Sequence, residues 1–137
     1  MTKSEALIRT ILGPVRRDIR PLAYAVDITA GYLFVRNIPM EDIHITKQIY
    51  PEVSERIGKS CDAVTKGVER LTNLCWDSII EQDMEERYIG KQIHDISSAS
   101  DMLFYLAFYM YYGEPFFEVV EKRARNAAGK YLAESKS

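Results

Sequence analysis

Apolar residues return every three or four positions along most of the chain, the period of a helix with one buried face. Ala6, Leu7, Ile8, Ile11 and Leu12 follow Ser4, which we read as a helix cap, and Gly13-Pro14 predicts the stop. Pro21 suits the first position of a longer helix carrying Leu22, Ala25, Val26, Ile28, Leu33 and Phe34, ended by Asn37-Ile38-Pro39. Ile45, Ile49, Val53 and Ile57 then form a stripe every four residues, so a third helix is expected from Glu41 or Thr46, kinked or broken at Pro51 and closed by Gly58. Ser60 reads as the N-cap of the next helix, with Asp62 at its positive end and Val64, Val68, Leu71, Leu74 and Cys75 as its inner face. That face runs to Trp76 and toward Ile80.

The segment Asp77 to Asp101 breaks this regularity, with two basic residues against seven acidic ones. Ser97-Ser98-Ala99-Ser100 reads as a connector and cap. From there to Tyr112 nearly every residue is apolar, which predicts a buried central helix. Gly113-Glu114-Pro115 ends it, and a last helix is expected from Pro115 to Tyr131. There is no hairpin turn, no alternating strand, no internal repeat and no interdomain linker. We expect an all-α fold, a compact bundle of about six helices in one domain spanning 1–137.

Composition and charge narrow the function. Apolar residues are 47% of the chain, ordinary for a packed domain. A net charge of -2 excludes indiscriminate nucleic-acid binding by a uniformly basic surface, but not a local patch. Met102 to Tyr112 is the longest apolar run, far short of the roughly 20 residues that span a bilayer. No secretory signal precedes it. Cys61 and Cys75 are expected on one helix, roughly 21 Å apart at about 1.5 Å per residue, so they do not form a bridge. We read both as small buried apolar residues of a reduced, cytoplasmic protein.

Signs of catalysis are missing. His44 and His94 sit in no metal-binding pattern, and the chain has no phosphate loop, dinucleotide fingerprint or nucleophile elbow. Cys61, near a helix start, has no identifiable base. Glu81, Glu85 and Glu86 read as a solvated face rather than cation ligands. We expect no enzyme, no cofactor, no metal and no small-molecule substrate.

Thr46 to Trp76 (TKQIYPEVSERIGKSCDAVTKGVERLTNLCW) has the parts of a helix-turn-helix: an amphipathic helix, a glycine turn and a capped second helix. Ser54 is small enough to let the two helices approach. The outward positions are Asp62, Ala63, Thr65, Lys66, Glu69, Arg70 and Asn73, with Ser60 at the start and Lys59 in the turn within reach of a phosphate. Pattern alone leaves a plain helical hairpin open.

Ile45-Thr46-Lys47, Tyr50-Pro51, Val53, Ile57, Ser60, Val64, Val68 and Trp76 together resemble the C-terminal effector domain of the sporulation-initiation response regulator of endospore-forming bacteria. The likeness runs ungapped over Thr46 to Trp76 and more weakly from about Ile8 to Arg125, touching Leu12-Gly13-Pro14, Ile96-Ser97-Ser98 and Phe117. The resemblance implies an all-helical domain whose second motif helix, Ser60 to Trp76 here, enters the major groove of double-stranded DNA and regulates transcription. It also implies pairs of domains on tandem sites, a homodimer through the C-terminal helix. Two departures stand out. We expect no phosphoacceptor receiver domain. Where the family has base-reading and phosphate-binding arginines, this chain has Ala63, Lys66 and Glu69, and Thr65 replaces a glutamate. An arginine read against guanine is worth about 1–3 kcal/mol, so its loss at Ala63 removes that base preference.

Lys59, Lys66 and Arg70 are therefore expected to hold phosphates or bases, with Ser60, Thr65 and Asn73 as polar contacts. Further cations lie upstream, since Met1 to Met40 has six Lys and Arg against three acids, and Arg123 and Arg125 lie on the last helix. The alternative is a protein-interaction module on the same fold that has lost DNA binding. Its partner surface would be the acidic segment or the aromatics Phe104, Tyr105, Phe108, Tyr109, Tyr111, Tyr112, Phe116 and Phe117.

Overall fold

A computed structural model describes residues 1–93 and 98–135, with side chains described as far as residue 129. Among these the chain is all-helical, with seven α-helices and no strand. They are α1 (Lys3–Leu12), α2 (Arg20–Ala30), α3 (Tyr50–Ile57), α4 (Cys61–Glu81), α5 (Glu85–Tyr88), α6 (Ala99–Tyr112) and α7 (Phe116–Ser135). The helix beyond the expected six is α5, a single turn inside the acidic segment, too short to leave a period in the sequence.

Two junctions differ from the expected pattern. α2 does not stop at Ala30 but runs into one π turn, Gly31–Val35, closed by the Arg36 N–H to the Gly31 carbonyl at 3.0 Å. A second π turn, Ile45–Ile49, leads into α3. Pro51 was expected to kink or break the third helix. The helical run from Ile45 changes there from the π turn to α-helix, and Pro51 sits in the first turn of α3.

The first cap is also displaced. Thr2, not Ser4, is the N-cap of α1, accepting from the Glu5 N–H at 3.2 Å. Ser4 is fully buried inside the helix, where its hydroxyl meets the Thr2 hydroxyl and the Asp27 carboxylate. Burial raises the Asp27 pKa, and the Ser4 hydrogen bond opposes that shift.

α6 is the central element, as its composition predicts. Met102, Leu103, Leu106, Ala107 and Phe108 are buried, and α1, α2, α4, α5 and α7 all pack around it. Leu22 and Val26 of α2, Ile49, Val53 of α3, and Val64 and Val68 of α4 complete the core. Ser78 of α4 donates to the Ile11 carbonyl at 2.6 Å, which fixes the far end of α4 against the end of α1. α4 therefore extends past Trp76 to Glu81. Early in the last helix Val119 is buried, and residues 121–129 are all exposed. No helix among the described residues is long and apolar enough to cross a membrane.

Candidate nucleic-acid interface

The turn between α3 and α4 is three residues, Gly58-Lys59-Ser60, and hydrogen bonds set its shape. Gly58 is left-handed (φ 76°, ψ 30°), and its N–H donates to the Ser54 carbonyl at 2.9 Å. The Ser54 hydroxyl donates to the Lys59 carbonyl. Ser54 is thus a clamp on the turn, a role beyond the small size the sequence suggests. Ser60 is extended and accepts from the Ala63 N–H at 3.2 Å. These contacts leave the Lys59 side chain exposed between two fixed helix ends.

Burial divides α4 into two faces. Val64, Val68, Leu71 and Cys75 lie in the core. Asp62, Ala63, Lys66, Glu69, Arg70 and Asn73 are exposed, and Thr65 is half-buried. The outward set therefore falls where the helical period puts it. Two of the polar positions are already engaged within the chain. The Ser60 hydroxyl is occupied as the cap, and the Thr65 hydroxyl donates to the Cys61 carbonyl at 2.8 Å. Cys61 is exposed at the first turn of α4, not buried as expected, because its position lies on the outward face. Cys75 is buried, and burial pushes its thiol up to about 12.

The outward face is electrostatically lopsided. Glu69 lies on the flank toward α3, where its charge adds to burial in pushing the Tyr50 hydroxyl up to about 12. Asp62 supports the positive end of α4 but presents a negative charge to any polyanion. Arg70 lies on the opposite flank, facing the turn that joins α1 to α2. There Arg17 and Asp18 share a cleft of about 230 Å³ with Lys59 and Arg70. Arg16, Arg17 and Arg20 are among the six upstream cations of Met1 to Met40. Their separation from the motif in the chain gives no sign of which of them meets α4.

The α1–α2 turn is held in place by its own bonds. The Arg9 guanidinium donates to the Val15 carbonyl at 2.7 Å, the Gly13 N–H to the Arg9 carbonyl at 2.7 Å, and Ile19 is buried. Arg20 grips both oxygens of Asp18 at 2.9 Å. That grip is the main cause holding the Asp18 carboxyl below its usual range, with the Lys59 charge acting the same way. Pro21, buried at the start of α2, comes within 3.9 Å of where a side chain at Gly67 would begin.

Two features elsewhere bear on the alternatives. Phe34 stacks on Tyr111 with ring centres 4.1 Å apart, and both line a groove of about 590 Å³ with Met40, Phe116 and Val120. Among the described residues no cluster of three or more His, Cys, Asp or Glu side chains is arranged to hold a metal ion. Glu85 of the acidic segment is buried against the body. His94 and the Ile96-Ser97 part of the resemblance lie outside the described residues. No protein-family model, curated protein or solved structure matches the chain.

Proposed function

We propose that this chain is a sequence-specific DNA-binding transcriptional regulator, similar in architecture to the sporulation-initiation effector domain, and that the stretch Ser60 to Trp76 reads the major groove. The observation that carries the reading is the partition of α4: one face is locked into the core while an exposed, mostly polar face begins at a capped, exposed turn. A helix presented in this way fits between the two backbones of a duplex. Lys66 suits a guanine edge and Asn73 an adenine edge, each such pair discriminating by about 1–3 kcal/mol, while Arg70, on the flank facing the α1–α2 turn, suits a phosphate. Lys59 contributes through phosphate neutralisation. Pairing of two copies through α7 belongs to the same reading, supported by the exposure of residues 121–129.

A second reading, the protein-interaction module, is favoured by one observation. Tyr111 and Val120 are 55% and 41% exposed on the aromatic groove that α6 and α7 share with Phe34. Selection of preferred sites from random duplexes, followed by titration at two salt concentrations, separates the two readings. DNA binding by this face predicts an enriched site whose affinity falls at least tenfold between about 50 and 200 mM salt. Replacing both Lys66 and Arg70 with Ala weakens it further. Absent or salt-insensitive binding removes the DNA reading.

A further inference from the structure

We propose that the cleft between the α1–α2 turn and α4 seats one phosphodiester of the duplex backbone, making Arg17 a DNA-contact residue supplied from outside the helix-turn-helix. The proposal rests on the DNA-binding reading above and assigns that surface a second anchoring element.

Three cations from three separate places in the chain meet there: Arg17 on the α1–α2 turn, Lys59 on the α3–α4 turn and Arg70 on α4. Asp18 is the one carboxylate among the lining residues, and Arg20 occupies both its oxygens. The cleft is thus left with an excess of positive charge. Val64 and Leu71 of α4 and Pro21 of α2 also line it, and the small Ala63 and Gly67 between them leave the space open. At about 230 Å³ it has room for a tetrahedral oxyanion with water. Ala63 belongs to the first turn of α4, where the partial positive charge of the helix end adds to the attraction for an anion.

The walls do not have to be assembled on binding. The Arg9–Val15 bond and buried Ile19 hold one side, and the Ser54–Lys59 bond and the Ser60 cap hold the other. With the backbone of both walls prearranged, binding has to order only the cation side chains themselves. The position suits the anion a duplex offers in any sequence. A phosphate flanking the groove lies beside the helix that enters it, and such contacts set register without reading bases. The cleft also answers a shortage: α4 itself has few cations, and Arg17 makes up part of the deficit.

The test uses the full chain with the wild-type sequence and the variants Arg17→Ala, Arg17→Lys and Asp18→Asn. Each is titrated with its selected duplex and with an unrelated duplex over a range of salt. Arg17→Ala is expected to weaken both duplexes by a similar several-fold factor and to reduce the salt slope by about 0.9, the loss of one phosphate contact. Arg17→Lys keeps the slope, since a lysine still neutralises a phosphate. Asp18→Asn strengthens binding, because it removes a negative charge and releases Arg20. If Arg17→Ala binds both duplexes with an unchanged slope, the cleft holds no phosphate and the DNA reading stands without it. If the wild-type chain binds no duplex, the DNA reading falls. Inorganic phosphate titrated onto the isotope-labelled chain then decides the cleft alone. Saturable shifts confined to Arg17, Lys59, Ala63 and Arg70 support the anion site, and their absence ends it.

Discussion

Cys61 and Cys75 share one helix yet have opposite chemistry, because the period of α4 turns one outward and the other into the core. The thiolate is the reactive form of a cysteine. Cys75 is both sequestered and pushed up to about 12, so alkylation near pH 8 should modify a single thiol of the folded chain, at Cys61. The second should react only in denaturant. Mass spectrometry of the native and unfolded protein checks this, and rapid native labelling of Cys75 would refute the assigned register of α4. The same spacing places Lys66, Glu69 and Arg70 on the outer face, so the thiols report on the rotation that exposes these residues.

At the scale of elements, two turns depend on glycine for different reasons. Gly58 has φ 76° with open space where a side chain would start, so Gly58→Ala meets only the strain of a left-handed residue, about 1–2 kcal/mol. Gly90 has φ 108°, and a Cβ there would lie 3.0 Å from that of Phe117 and 3.2 Å from its backbone nitrogen. That nitrogen donates to the Ile89 carbonyl at 3.1 Å, seating the start of α7. Gly90→Ala therefore carries strain and a clash together, and denaturant unfolding should show a larger loss than for Gly58→Ala. The reverse order would mean that α7 is not held there. The contrast shows where sequence reading stops. Gly58, Ser60 and the Val64–Val68 face were legible because caps and period are local signals. The same local signals misassigned the Thr2 cap, since Thr2 and Ser4 are both good capping residues and only burial against Asp27 selects between them. The π turn at Gly31–Val35, the single turn of α5 and the meeting of Arg17 with Arg70 depend on tertiary packing. None leaves a period in the chain.

For the whole molecule, a net charge of -2 conceals a polar arrangement. The 21 residues of α4 span about 30 Å. Arg17, Lys59 and Arg70 gather about its first half, while Asp77 and Glu81 lie at its far end, where the acidic segment continues. On the proposed DNA-binding reading, this arrangement would draw a duplex to one end and repel it from the other, orienting the encounter before contact. The last helix leaves this body soon after Val119. Lys122 and Arg123 still tie back to Glu114 and Tyr112, but the stretch through residue 129 has no buried side chain. Helical turns without tertiary support are marginal in water. Brief exposure to trypsin should accordingly trim the chain after Lys122, Arg123 or Arg125 before any cut at Lys66 or Arg70, leaving a resistant core fragment visible by mass. Bound DNA would slow that trimming only if it draws two tails together, so the protease pattern reads pairing directly.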